Sequence, residues 1–110
     1  MNQDDLLKQQ ITALNVIINE LNHFYAINVD FQQSANIRAD LNQVEEIRYA
    51  KQAKLDALNA GQGLGGPVTP QEQAALTQAL TSLDKYVRSD QSVAMCISYL
   101  TQIANAIGGN

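Results

Sequence analysis

Apolar residues recur at every third or fourth position through most of the chain, which is the spacing of a helix that buries one face. In the first half, the residues that follow this spacing are Leu7, Ile11, Leu14, Ile18, Leu21 and Tyr25. Leu6, Ile17 and Phe24 lie beside them on a helical projection and widen the apolar face to roughly 140°. A face this wide exceeds what a two-stranded coiled coil requires, so it predicts a helix packed in a bundle.

The apolar spacing loses its phase between residues 27 and 34, where Asp30 or Ser34 could cap a new helix. Helical spacing returns from residue 37 to residue 58, although Arg48 and Lys51 interrupt the apolar stripe. We therefore expect two helices in the first half. A single long helix that changes packing partner is the alternative.

Glycine and proline are concentrated in one segment, because four of the six glycines and both prolines lie within residues 61–70. This composition predicts a loop. The loop ends in Thr69-Pro70-Gln71-Glu72, which places a capping hydroxyl, a proline at the first helical position and a glutamate three residues after the cap. This capping box is the most specific local signal in the chain, and it predicts that a helix begins at Pro70.

In the second half, Leu76, Leu80, Leu83 and Val87 form one apolar stripe, which predicts that they face the core. The stripe rotates by roughly a third of a turn near residues 88–92. We expect a break there, followed by a fourth helix; one long helix serving two partners is the alternative. The last helical segment is apolar over a broad arc that contains Val93, Ile97, Leu100, Ile103 and Ile107. Such a helix is either central in its own bundle or buried against another subunit, so these five residues are candidate interaction residues.

These patterns predict an all-α protein, either a helical hairpin or a three- to four-helix bundle built from two long antiparallel helical arms. The arms cover about residues 4–59 and 70–107, the loop at 61–70 joins them, and residues 108–110 form a frayed end. A length of 110 residues is typical of a single domain, here a single helical domain over residues 1–110.

Composition narrows the range of partners. Seven Lys and Arg against eleven Asp and Glu give a net charge of -4, which disfavours nucleic acid and anionic membranes as partners. Asp4 and Asp5 stand where a secretory signal carries positive charge, and the uncharged stretch at residues 91–110 is too polar for a membrane span. We expect a cytoplasmic protein, with export by a route that needs no Sec signal as the alternative.

Candidate chemistry is sparse. Glu20 and His23 have the Glu-x-x-His spacing of di-metal bundles, but the motif occurs once and the helical projection turns both residues away from the apolar face. The single cysteine, Cys96, lies in an apolar stretch typical of a buried thiol. We expect no catalytic residues, no cofactor and no metal, with Glu20 and His23 as the candidate ligands should a metal bind.

Arg48 and Lys51 lie on the core side of their helix, where long side chains either extend over apolar surface or pair with acids of a partner chain. The leading hypothesis is a non-enzymatic helical interaction module, such as an adaptor, chaperone or regulatory subunit, that self-associates as a homo-oligomer. The alternative is a self-assembling helical-hairpin subunit of a secretion apparatus or filament. A metal-binding helical bundle is the third hypothesis.

Overall fold

A computed structural model of the chain describes residues 2–27, 30–61, 67–88 and 93–108, and it describes their side chains except those of residues 86–97. Four helices occupy these ranges: α1 (Gln3–Ile27), α2 (Phe31–Asn59), α3 (Pro70–Arg88) and α4 (Val93–Gly108). The described ranges contain no strand, only an isolated bridge between Asn2 and Pro67. The prediction of an all-α bundle is confirmed, with four helices rather than three.

Each of the first three helices begins at a side chain that caps it. Asn2 accepts a hydrogen bond from the backbone N–H of Asp5 over 2.9 Å, and Asp30 accepts one from Gln33 over 3.1 Å. These oxygens satisfy N–H groups that have no partner within the helix. Asp30 is thus the cap that separates α2 from α1, and the predicted break in the first half is confirmed.

The predicted capping box at α3 forms in full. The Thr69 hydroxyl accepts from the backbone N–H of Glu72 over 3.2 Å, and the Glu72 carboxylate accepts from both the N–H and the hydroxyl of Thr69. Pro70 takes the first helical position, where a missing N–H costs nothing.

Glycine is required where α2 ends. Gly61 has φ +74°, a left-handed conformation that is strained for other L-residues, and its N–H bonds to the carbonyl of Leu58 over 3.1 Å. This turn directs the chain away from α2 at the residue where the sequence predicts that the loop begins.

Contacts between the helices define an up-down-up-down order. Leu7 and Ile11 pack with Leu55, so α2 runs antiparallel to α1. Gln3 bonds to Glu72 near the start of both helices, so α3 runs parallel to α1. In the same way, the bond from Gln43 to Asn105 over 2.8 Å and the contact of Ile47 with Gly108 place α4 parallel to α2.

The bundle is flat in cross-section. Its extents are 46 × 24 × 16 Å, and α2, with 29 residues, accounts for most of the length. Helix α1 contacts all three other helices, whereas α2 and α3 make no close backbone contact among the described residues. Helices α2 and α3 therefore lie on opposite sides of the α1–α4 pair.

Two clusters of apolar side chains fill the interior. The larger cluster draws on all four helices and has Leu14, Ile17, Leu21, Ile37 and Leu100 at its centre. The smaller cluster joins Leu7, Ile11 and Leu55, with Leu58 packed against them. Helix α4 ends at Gly108, beside Ile47, and contributes no residue to the smaller cluster.

Two residues of the predicted apolar stripes are not in the core. Leu80 is 38% exposed, because Leu76, Ala79 and Leu83 take the buried face of α3 and turn Leu80 towards its edge. Tyr25 is also exposed, since α1 ends only two residues later. The expectation that these two positions are core residues is wrong.

Candidate interaction surfaces

The apolar residues of α4 pack inside this chain. Leu100, Ile103 and Ile107 are all buried in the larger cluster, together with residues of α1 and α2. The structure therefore places these three candidate interaction residues in the protein's own core, where they stabilise the bundle and leave no surface for a partner. The side chains of Val93 and Ile97 lie outside the described residues.

Lys51 is buried in the bundle and only 6% exposed, as its position on the core side of α2 predicts. Burial lowers the pKa of Lys51 below 10.5, because a charged ammonium loses hydration there; the nearby positive charge of Lys54 lowers it further and Glu72 opposes the shift. Arg48 is only half-buried. Pairing of Arg48 or Lys51 with a partner chain stays a prediction.

A second buried polar residue, Gln10, lies close to the layer of Lys51. Gln10 is fully buried, and neither its amide nitrogen nor its amide oxygen has a hydrogen-bond partner among the described residues. On α2, Lys51 comes between Ile47 of the larger cluster and Leu55 of the smaller one. On α1, Gln10 lies within the smaller cluster, between Leu7 and Ile11, and Leu14 of the larger cluster follows one turn later. Lys51 and Gln10 therefore lie near the place where the two apolar clusters meet.

An open groove of about 280 Å³ runs along the surface between α1 and α3. Its apolar lining consists of Ala13, Val16, Leu80 and Leu83. The remaining lining residues are polar and belong to α1: Lys8, Gln9 and Thr12. Ala13 gives the groove its depth, because a methyl side chain leaves space between two helices that a leucine would fill.

Lys8 is the charged residue among the described residues that line the groove. It forms an i, i+4 ion pair with Asp4 over 2.9 Å, and both side chains retain exposed surface. The hydrogen bond to Asp4 raises the pKa of Lys8 above 10.5, so the groove keeps a positive charge at neutral pH. An exposed pair of this kind contributes little stability, and Lys8 can exchange Asp4 for another acid at small cost.

Large apolar side chains also project from the bundle outside this groove. Phe31 is 89% exposed at the start of α2, and Ile27 at the end of α1 is exposed as well. Tyr49 is 75% exposed in the middle of α2. Glu45 and Glu46, one turn before Tyr49, are exposed as well, so the tyrosine ring stands beside two acidic residues.

The candidate metal ligands do not form a cluster in the structure. His23 is exposed, and its ring contacts Phe24 at a centroid distance of 5.8 Å, while Glu20 is half-buried. Within the described part of the chain, no three His, Cys, Asp or Glu residues come close enough to hold a metal ion. Cys96 has a side chain outside the described residues.

Sequence reasoning did not select Tyr49, Gln10 or the groove. Tyr49 could have been found, because a helical projection places it roughly 120° from Ile37 and therefore on the outer face of α2. Gln10 is one turn from Leu14 and falls within the apolar arc in the same way. The groove depends on how α3 packs against α1, which no local spacing encodes.

None of the described helices is both long enough and apolar enough to span a membrane. Comparison of the chain with protein-family models, with curated proteins and with solved structures finds no match.

Proposed function

We propose that the chain is a non-enzymatic helical interaction module that binds protein, and that it binds further copies of itself. The observation that carries the proposal is the combination of a strongly exposed aromatic residue, Tyr49, with an apolar groove between α1 and α3. Exposed aromatic side chains and concave apolar sites are the features that bind partners in helical interfaces.

The packing of the core supports a surface role for Tyr49 and Leu80. Leu14, Ile17, Leu100 and Ile107 are almost completely buried, so the bundle forms a packed interior without help from Tyr49 or Leu80. Apolar surface that the fold does not use is available for association. A cytoplasmic location belongs to the same proposal.

A second candidate function is that of a self-assembling subunit of a secretion apparatus or filament. One observation favours it: the exposed apolar residues are spread over α2, the α1–α2 corner and the α1–α3 groove rather than gathered on one face. Association through two different surfaces leaves an unused surface at each end and continues without closing unless the geometry forms a ring.

Sedimentation velocity over a dilution series tests the proposal. Self-association predicts that the average mass rises with concentration, reaching a plateau for a discrete oligomer and rising without limit for a filament subunit. A monomer at every concentration would contradict self-association. Arg48→Ala removes a half-buried cation. If Arg48 pairs with a second copy, the average mass of this variant in solution is lower than that of the wild type, while circular dichroism shows that α2 stays helical.

A further inference from the structure

A strip of exposed residues runs along the outer face of α2. Phe31 and Tyr49 are 89% and 75% exposed, the two most exposed large apolar residues in the described part of the chain. They are 18 residues apart, which is five helical turns, so both project from α2 in the same direction about 27 Å apart. The residues between them that share this direction are spaced four, three, four, three and four apart. All six residues of this outer strip are exposed: Phe31, Ala35, Arg38, Asn42, Glu45 and Tyr49.

Resting on the proposed function, the structure assigns the partner and the contact of the outer strip. We infer that the strip binds the same strip of a second copy, with the two α2 helices antiparallel and related by a two-fold axis beside residue 40. Such a contact is isologous, so each pair of residues that meets across it occurs twice.

The first argument is the position of the two aromatic residues. Residue 40 is midway between Phe31 and Tyr49, so an axis there brings Phe31 of each copy to the same height as Tyr49 of the other. Each ring is surrounded by water in a separate copy, and in the dimer the two rings cover each other. Aromatic pairs of this kind stabilise interfaces, and here one pair lies at each end of the contact.

The second argument is charge. Arg38 of one copy comes to the height of Asn42 of the other, and Glu45 follows one turn further along the second copy. A guanidinium has enough donors to bond both the amide oxygen of Asn42 and the carboxylate of Glu45. Within its own copy, neither Arg38 nor Glu45 forms an ion pair with any described residue. The dimer therefore supplies two ion pairs that the single chain lacks.

The third argument is that other arrangements of the same strip oppose like charges. A parallel pair of α2 helices in register places Arg38 against Arg38 and Glu45 against Glu45. An antiparallel pair with its axis beside residue 47 joins Arg38 to Asp56, but it brings the exposed Glu46 of both copies together. With the axis beside residue 40, Glu46 lies beside the uncharged Gln32 of the second copy. Like charges side by side disfavour the alternatives.

The test reverses the charges of the strip one at a time. Arg38→Glu and Glu45→Arg are measured by sedimentation velocity, each alone and as an equimolar mixture of full chains. Each variant alone opposes like charges at both ion pairs and should associate at least about ten-fold more weakly than the wild type. The mixture should form dimers, because the acidic strip of one variant faces the basic strip of the other. Lys54→Glu reverses an exposed cation of α2 outside the strip, and it should associate like the wild type.

The aromatic residues give a second measurement. Phe31→Ala and Tyr49→Ala remove opposite sides of one contact, so they should weaken association by similar factors. The double variant should weaken it by less than the product of those two factors, since either single change already breaks the pair. Leu80→Asp alters the α1–α3 groove, outside the strip, and should leave the dimer unchanged.

The outcomes separate this inference from the proposed function. If the wild type associates and neither charge reversal weakens it, the α2 contact is overturned while self-association stands. If both reversals weaken association but their mixture stays monomeric, the pairing of Arg38 with Glu45 is overturned. A Leu80→Asp variant that is weakened as much as Tyr49→Ala would overturn the assignment to α2. A monomeric wild type overturns both proposals. Circular dichroism confirms that each variant keeps wild-type helicity.

Discussion

Gln3 at the start of α1 donates its side-chain amide to both carboxylate oxygens of Glu72 in α3, over 3.2 and 3.1 Å. The same carboxylate completes the capping box with Thr69. Glu72 therefore has two roles, because its carboxylate accepts from the N–H and the hydroxyl of the cap residue Thr69 and also ties α3 to α1. The two helices start at one end of the bundle as a result, with Asn2 bridged to Pro67 beside them.

Loss of the cap at α3 should destabilise the bundle. Thr69→Ala removes the hydroxyl that accepts from the N–H of Glu72, and we expect the free energy of unfolding to fall by about 0.5–2 kcal/mol. Thr77→Ala removes an exposed hydroxyl further along α3 and should change it by less than about 0.5 kcal/mol. Urea unfolding followed by circular dichroism measures both; equal losses would show that the capping box contributes nothing specific.

The hydrogen bond from Gln3, and then that from Thr69, lower the pKa of Glu72 below 4.5. Because the folded state favours the ionised carboxylate, Glu72 stabilises the fold above the unfolded pKa, and this contribution is lost as the pH falls through the folded pKa. We expect the melting temperature of the wild type to exceed that of Glu72→Gln near pH 6 and the difference to shrink below about pH 4. A difference that stayed constant with pH would contradict the role of the charge.

Removal of the buried amide of Gln10 should stabilise the protein. Gln10→Met keeps the length of the side chain and removes two polar atoms that have no partner among the described residues. A buried polar group without a partner costs about 1–3 kcal/mol, so the free energy of unfolding should rise by a similar amount. Gln78→Met makes the same change at an exposed position and should leave stability unchanged. A less stable Gln10→Met would mean that the amide has a partner in solution.

Leu14 and Leu80 should respond differently to the same substitution. Leu14 is fully buried, so Leu14→Asp buries a charge and should abolish cooperative thermal unfolding. Leu80 is 38% exposed, and the carboxylate of Leu80→Asp can reach water, so this variant should still unfold cooperatively. Thermal melts followed by circular dichroism compare the two. A non-cooperative melt of Leu80→Asp would place its side chain in the core.

Local signals predicted the helix ends better than they predicted the packing. The caps at Asp30 and Thr69 and the glycine at Gly61 act through neighbouring residues, so their chemistry is readable from a few positions. Leu80 has the spacing of a core residue but lies at an edge, because its burial depends on how far α1 is from α3. The same distance sets the depth of the groove at Ala13.

The location of α4 could not be read from its own sequence. An apolar arc over Leu100, Ile103 and Ile107 is equally compatible with burial in the chain's own core and with burial between chains. The structure shows the former, since Ile47 of α2 packs against Gly108 and Gln43 bonds to Asn105. These contacts join residues more than sixty positions apart, which no periodicity links.

The buried Lys51 makes the free energy of unfolding depend on pH in the alkaline range. Burial lowers the pKa of Lys51 in the folded state, so between that lowered pKa and 10.5 the unfolded chain binds more protons than the folded one, and stability rises with pH. We expect the free energy of unfolding of the wild type to rise relative to that of Lys51→Met as the pH increases towards 10.5, since Lys51→Met lacks this titration. Every other ionisable side chain is present in both proteins, so the comparison isolates Lys51. Lys85→Met, which removes an exposed lysine of α3, is the control for the loss of a lysine. A Lys51→Met curve parallel to that of the wild type would show that Lys51 is hydrated in the folded protein.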